Sequence, residues 1–168
     1  PCAFEMKSLT SDGLFEGYAS VFGVVDSQRD RVHPGAFKSS LKQRARPVQL
    51  LWQHQWDKPV GMITALFENA RGLYIKGKLL MELTQAREAY SLMKAGVVRG
   101  LSIGYNIKRS RLSPDTGIRE LLDLNLFEIS LVTLPANEQA SITLVKSRDD
   151  EISALCHAIA QAQRALIV

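Results

Sequence analysis

Apolar and polar residues alternate with a period of two along much of the chain, a pattern typical of β-strands with one buried face. Residues 4–9 and 15–22 alternate in this way on the two sides of Ser11-Asp12-Gly13, which predicts a β-hairpin. The turn sequences at residues 69–72 and 114–117 predict two more hairpins. Further strands are predicted at residues 48–54, 62–68, 73–80, 100–107 and 118–134.

Helical spacing interrupts this alternation at two places inside the chain. Pro34 fits the first turn of a short helix that carries Phe37 and Leu41 on one face. Thr84 is the predicted N-cap of a helix that runs to residue 94, and Gly96 is its predicted terminator. Many short strands with few helices predict an α+β fold, a mainly antiparallel β-barrel or sandwich surrounded by a few helices.

The end of the chain has a third helical pattern. Residues 146–150 resemble a linker, which divides the chain into a domain over 1–148 and an amphipathic helix over 149–168 with acidic residues in its first turn. The apolar end of this helix predicts docking on the domain or on a partner. Its apolar positions are Ile152, Leu155, Cys156, Ile159 and Leu166.

Length and composition are those of a single folded domain. The chain has 168 residues, of which 46% are hydrophobic, so it can bury one core and is not depleted of apolar residues as disordered chains are. No apolar run approaches the ~18 residues that span a bilayer, and residues 1–5 lack the regions of a signal peptide, so a cytosolic protein is expected. Cys2 and Cys156 lack CxxC spacing, which favours two free thiols over a zinc site.

Net charge does not identify a partner. A formal charge of +4 favours solubility more than it indicates a polyanionic ligand. The densest basic stretch, residues 108–111, lies beside the turn predicted at 114–117, where exposed charge is expected. We interpret it as a solvated hairpin end.

Three polar residues in apolar strands are candidates for chemistry. His54 closes an apolar strand, where an imidazole is able to exchange protons, although a lone histidine is more often structural. His33 and His157 lie in other predicted elements, so no metal site or cofactor is expected. Ser102 lies between Gly100 and Gly104, whose missing side chains leave room for a substrate backbone, although most strand serines have no chemical role.

Glu128 interrupts the apolar strand at residues 124–132. An unpaired buried carboxylate costs several kcal/mol, so Glu128 either needs a partner or lies on a solvent-facing side of the strand. The alternation places it on one face with Leu126 and Ser130.

Taken together and in order, these segments resemble the prohead maturation proteases of tailed phages, serine peptidases whose fold is similar to herpesvirus assemblin. The resemblance covers residues 13 to 146. It is carried by Phe15 to Gly23, Pro34 to Phe37, Leu51 to His54, Gly61, Gly72 to Tyr74, Arg87 to Tyr90, Gly100 to Tyr105 and Glu128 to Asn137.

The resemblance implies roles for five residues. Ser102 would be the nucleophile and His54 the general base. Glu128 would be the third member, where assemblins use a second histidine, with Asp57 and Asp123 as weaker candidates. The backbone amides at Ala136 and Asn137 would form the oxyanion hole.

The resemblance also implies a biological setting. Such an enzyme acts in the host cytoplasm, inside the assembling prohead, on scaffold or capsid-protein extensions and then on itself. Self-association into a dimer or higher oligomer is expected, without a membrane, a specific nucleic acid or a cofactor. Two alternatives remain open at this point: a non-catalytic capsid-assembly or scaffolding module with the same fold, and an unrelated esterase or amidase that uses the same serine and histidine.

Overall fold

The computed structural model describes residues 13–43, 46–146 and 158–159. Within this part of the chain, strands dominate and two helices accompany them, α1 (Lys38–Lys42) and α2 (Thr84–Lys94). The strands are β1 (Leu14–Val21), β2 (Asp30–Val32), β3 (Gln49–Trp52), β4 (Gln55–Glu68), β5 (Gly72–Leu79), β6 (Gly100–Leu112), β7 (Arg119–Val132) and β8 (Ile142–Lys146).

All eight strands belong to one sheet, in the order β2-β7-β3-β4-β5-β1-β8, with β6 also paired to β7. Five of the strand pairs are antiparallel, whereas β2 and β3 both run parallel to β7. The long strand β7 therefore has β6 on one side and, on the other, β2 along its first half and β3 along its second. Side chains from three neighbouring strands therefore lie next to those of β7.

The sheet curls until its far edge meets β6. The amide of Leu101 donates to the carbonyl of Ala140 at 3.1 Å, and the amide of Ile142 donates to the carbonyl of Arg99 at 2.9 Å. These bonds flank a bridge between Gly100 and Ser141. Curling a sheet onto itself satisfies an edge that would otherwise leave its backbone groups unpaired.

The apolar core lies inside the curl. Alternate residues of β5 point inward, and Leu73, Ile75 and Leu79 are fully buried. Helix α2 contributes Ala86, Ala89 and Met93 to the same core, as its helical spacing predicts.

The predicted α+β fold, mainly antiparallel with few helices, is confirmed. Helix α2 has the predicted range, but its N-cap is Leu83 and not Thr84, and Thr84 makes no capping bond. Gly96 ends it with φ of +71°. The strands β2 and β8 were not predicted, because each is short and too weakly alternating to be recognised. The predicted strand at 4–9, the two cysteines and nearly all of the predicted terminal helix lie outside the described residues.

Among the described residues, no helix is long and apolar enough to cross a membrane. The basic stretch at 108–111 lies at the exposed end of the β6–β7 hairpin, as predicted.

Candidate active site

His54 lies in a two-residue turn between β3 and β4. Trp52 pairs with Gln55, and the two residues between them, Gln53 and His54, have φ of +51° and +58°. Two successive left-handed residues are the geometry of a type I′ hairpin turn, which Asn-Gly normally supplies. Non-glycine residues in this conformation cost of order 1–3 kcal/mol each and persist only where neighbouring contacts fix them. The turn is therefore held by its surroundings.

Those surroundings belong to β7. The amide of Gln53 donates to the carbonyl of Leu131 at 3.0 Å, and the amide of His54 donates to Ser130 Oγ at 3.1 Å. Both bonds aim the His54 ring back across β7. They connect the backbone of the turn directly to the strand that carries Glu128.

His54 and Glu128 form a short hydrogen bond. The distance from His54 Nδ1 to Glu128 Oε1 is 2.6 Å, with the carboxylate side chain 4% exposed and the imidazole side chain 45% exposed. An ionised carboxylate only accepts hydrogen bonds, so Nδ1 carries the proton and Nε2 is left with its lone pair. The predicted need for a partner of Glu128 is confirmed, and the solvent-facing alternative is wrong because the side chain is buried.

Ser130 completes the bonding of the carboxylate. Its hydroxyl donates to Glu128 Oε2 at 2.7 Å while it accepts the amide of His54. Both oxygens of Glu128 are thus satisfied, one by the imidazole and one by a hydroxyl. A buried carboxylate that is bonded in this way avoids the penalty of an unpaired charge.

This arrangement changes the titration of the histidine. The hydrogen bond to Glu128 raises the pKa of the His54 imidazole above its ordinary value of about 6.5, partial burial of the ring opposes the rise, and the negative charge of Glu128 adds to it. The charged imidazolium is therefore stabilised here. A histidine that takes up a proton during a reaction gains from such a neighbour.

Ser102 lies on β6 directly across from the site. The β6–β7 register pairs Ser102 with Ser130 and Gly104 with Glu128, and directly opposed residues of an antiparallel pair project from the same face. Ser102 therefore shares a face with Glu128 and Ser130. Among the described residues, its hydroxyl makes no hydrogen bond to His54, and the Nε2 atom of His54 has no partner.

Gly104 is required for a reason that differs from the predicted one. A Cβ atom at Gly104 would lie 2.3 Å from Glu128 Oε1 and 2.7 Å from Phe127 Cε2. At Gly100, a Cβ would lie 2.7 Å from the carbonyl oxygen of Val132 and 2.8 Å from Pro135 Cδ. The expectation that both glycines leave room for a substrate backbone is wrong, because protein atoms fill that space.

The close approach at Gly100 brings the loop at residues 135–137 against β6. The side-chain amide of Asn137 donates to the carbonyl of Val21 at 2.9 Å, and the carbonyl of Ala136 accepts the amide of Ser27 at 3.0 Å. Ser102, Ala136 and Asn137 line one cavity of about 160 Å³. Within the described chain, the backbone N–H groups of Ala136 and Asn137 donate to no protein acceptor.

The far wall of this cavity is polar. Asp30 is buried and accepts two bonds from the Arg119 guanidinium, at 2.7 and 2.6 Å, and one from the Tyr105 hydroxyl at 3.3 Å. Burial, and then the charge of Asp30, raise the pKa of Tyr105 to about 12, so its hydroxyl stays protonated. The hydroxyl of Ser20, also buried in this wall, has no hydrogen-bond partner among the described residues.

The structure places the five predicted site residues in two groups. His54 is bonded to Glu128, and Ala136 and Asn137 share a cavity with Ser102. The weaker candidates lie elsewhere, since Asp57 is exposed and Asp123 accepts the hydroxyl of Ser39 at 2.6 Å. The described residues contain no cluster of three or more His, Cys, Asp or Glu side chains that could hold a metal ion.

Sequence reasoning missed the bonding role of Ser130. The signal was its position two residues after Glu128, which places both side chains on one face of β7. Chemically, general-base activation of a hydroxyl requires a serine and a histidine that is paired with a carboxylate, and here Ser102 shares a face with the carboxylate that His54 contacts.

Comparison with known proteins places the chain in a protein family. A sequence profile of the caudovirus prohead serine proteases matches residues 3–154, and the chain belongs to this family. It is 40% identical over 140 residues to the prohead protease of Enterobacteria phage HK97, covering 82% of this chain and 62% of that protein. It is 35% identical over 136 residues to a capsid polyprotein of Pseudomonas phage PAJU2, covering 75% of this chain and 19% of the polyprotein.

A solved structure shows the same fold. The KSHV protease, crystallised with a hexapeptide phosphonate inhibitor, superposes with a TM-score of 0.55 at 13% sequence identity, covering 79% of this chain and 64% of that one. The predicted likeness to herpesvirus proteases is therefore confirmed at the level of the fold. The chain spans less than two thirds of the length of the two phage relatives.

Proposed function

We propose that this chain is a serine endopeptidase that cleaves scaffold or capsid-protein extensions inside the prohead during capsid maturation. The observation that carries the proposal is the 2.6 Å contact between His54 and Glu128 on the face that also presents Ser102, in a member of the prohead serine protease family. The relatives support the substrate class, since one is a prohead protease and another a capsid polyprotein. Cleavage of the chain itself belongs to the same proposal.

The proposed reaction is acyl transfer. The Nε2 atom of His54 takes the proton of the Ser102 hydroxyl as Oγ bonds to the peptide carbonyl carbon, and Glu128 stabilises the imidazolium that forms. His54 then gives this proton to the departing amine as the C–N bond breaks. Water attacks the acyl-enzyme by the same route, with its proton passing to His54 and back to Ser102. Docking of the substrate must bring Ser102 and His54 into hydrogen-bond contact.

The developing oxyanion needs donors, and we assign this role to the backbone N–H groups of Ala136 and Asn137. Their support is that they lie at the Ser102 cavity and donate to no other protein group within the described chain. A donor of this kind contributes roughly 3–4 kcal/mol to transition-state stabilisation.

The first test is cleavage of the cognate capsid protein by wild type and by Ser102→Ala, followed by gel and mass spectrometry. Wild type should cut at a defined site, and Ser102→Ala should lose essentially all turnover. Ser110→Ala, an exposed serine on the same strand, is the matched control and should cut like wild type. Equal cutting by Ser102→Ala and wild type would remove Ser102 as the nucleophile. An inert wild type would instead favour a non-catalytic assembly module.

A further inference from the structure

An exposed aromatic pair borders the candidate active site. Trp56 is 75% exposed, and its ring stacks on Phe127 with centroids 5.4 Å apart and planes 24° apart. A large aromatic surface left open to water favours contact with a partner. The aromatic pair, Trp56 and Phe127, has no use in the mechanism proposed above.

The two members of the aromatic pair are close in sequence to the histidine and to its carboxylate. Trp56 follows the turn that carries His54 by one residue of β4, and Phe127 precedes Glu128 on β7. One point in space, the position of a Cβ on Gly104, lies within 2.7 Å of both the Phe127 ring and the Glu128 side chain. The aromatic surface is therefore continuous with the site.

The aromatic pair lines an open groove of about 580 Å³. The groove also takes in Pro47 and Leu126, and two basic residues, Arg46 and Lys108, contribute to its lining. The described residues that line it include no aspartate or glutamate. A ligand of this groove would thus have an apolar part for the rings, and acidic groups would be favoured over basic ones.

The groove and the cavity have no lining residue in common. Ser102 lines the cavity but not the groove, and Phe127 lines the groove but not the cavity. In acyl transfer, the acyl half of the substrate stays bonded to the serine, whereas the leaving amine receives its proton from the histidine. The leaving half therefore lies beside His54, and the aromatic pair borders the turn that carries His54.

We infer that the groove at Trp56 and Phe127 binds the substrate segment on the C-terminal side of the cleaved bond. The inference rests on the proposed protease function. It specifies the segment by its chemistry: a large apolar or aromatic side chain that stacks on Trp56, with acidic residues favoured further along toward Lys108. The aromatic pair would then select substrates without taking part in proton transfer.

The test compares two substrates with the same acyl half, both built on the bond mapped in the capsid protein. One is a peptide that continues for several residues past that bond, and the other ends there as a methyl ester. Trp56→Ala should lower kcat/KM for the peptide about tenfold, mainly through KM, and by several times more than for the ester. Trp56→Phe should recover most of the loss, because it keeps a ring for stacking.

Met62→Ala is the matched control, since Met62 is an exposed apolar residue of the same strand that does not line the groove. Met62→Ala should leave kcat/KM unchanged for both substrates.

An equal loss of kcat/KM on both substrates in Trp56→Ala would overturn the inference and leave Trp56 as a support for the His54 turn. Sedimentation of the same variant adds a further outcome, because loss of an oligomer would assign the surface to a second copy of the chain. A wild type that hydrolyses neither substrate would reject the protease itself, whereas a wild type that hydrolyses both, with an unchanged ratio in Trp56→Ala, rejects only the groove.

Discussion

Strand β7 carries two buried glutamates, eight residues apart by number, and each is bonded to a histidine at 2.6 Å. Glu128 contacts His54, and Glu120 contacts His33. The two imidazoles are similarly exposed, at 45% and 39% of the side chain, and the two carboxylates are similarly buried, at 4% and 8%. A search for short histidine–carboxylate contacts would not tell these two pairs apart.

They differ in what holds the second carboxylate oxygen. At Glu128 it accepts a neutral hydroxyl, that of Ser130, whereas at Glu120 it accepts the guanidinium of Arg31 at 3.1 Å. A cation on the carboxylate offsets the negative charge that would otherwise stabilise an imidazolium. The His54 imidazole therefore faces a carboxylate whose other partner is neutral, whereas Glu120 divides its two oxygens between His33 and Arg31 and so links the end of β2 to β7.

They differ also in what lies across β6. The register pairs Glu128 with Gly104 and places Ser102 two residues away, whereas it pairs Glu120 with Arg111. Glu128 therefore lies opposite a glycine and on the same face as the Ser102 hydroxyl, whereas Glu120 lies opposite an arginine. The comparison shows that the surroundings of a histidine–carboxylate pair, more than its distance, decide which chemistry it can support.

The largest difference between the two pairs should appear when each histidine is removed in turn. His54→Ala removes the proposed base and should lower kcat on the order of 10⁴-fold or more. His33→Ala should leave kcat within about threefold of wild type and act on stability, because it leaves Glu120 with Arg31 as a partner. Turnover of the mapped capsid peptide and thermal unfolding of both variants measure the two effects. Comparable losses of kcat in the two variants, with both folded, would contradict the distinction between the pairs.

The second effect is on pH dependence. His54 acts as a base only when it is neutral, and its pKa is raised, so kcat/KM should increase with pH through a midpoint above about 6.5. Glu128→Gln keeps an acceptor for Nδ1 but removes the charge, so the pKa falls and this midpoint should move to lower pH. The plateau should also fall, on the order of 10³-fold, since the imidazolium loses its stabilising charge.

A pH profile of kcat/KM for wild type, Glu128→Gln and Glu120→Gln separates these effects. Glu120→Gln is the matched control at the other pair and should leave the midpoint in place. A midpoint that does not move in Glu128→Gln would mean that a group other than His54 limits the rate at low pH.

The sequence was sufficient for the strands that alternate strongly, but not for the contacts that make the site. Glu128 was predictable because a carboxylate in an apolar strand needs a partner. The two hydrogen bonds of Ser130 were not predictable. The one from the His54 amide depends on a turn with left-handed residues at Gln53 and His54, where the sequence carries no turn-forming residue. Gly104 was recognised as special, yet the atoms that require it come from β7, more than twenty residues away in sequence.

The smallest effect should come from Ser130, which touches neither substrate nor Ser102 by hydrogen bond and acts through its two neighbours. Ser130→Ala removes the donor to Glu128 Oε2 and the acceptor for the His54 amide, so both the carboxylate and the turn lose one fixed contact. A hydrogen bond to a charged group contributes roughly 1.5 kcal/mol at the low end, which predicts about a tenfold loss of kcat with little change in KM. Ser130→Thr keeps the hydroxyl and should recover activity.

The comparison with the other pair sharpens this last prediction. Leu122 occupies the position two residues after Glu120 that Ser130 occupies after Glu128, so Leu122→Ala removes a side chain from an equivalent place without removing a hydrogen bond. It should lower stability with little effect on kcat. If Ser130→Ala lowered only the unfolding temperature and left kcat unchanged, the hydroxyl would be a structural support and His54 would be oriented by Glu128 alone.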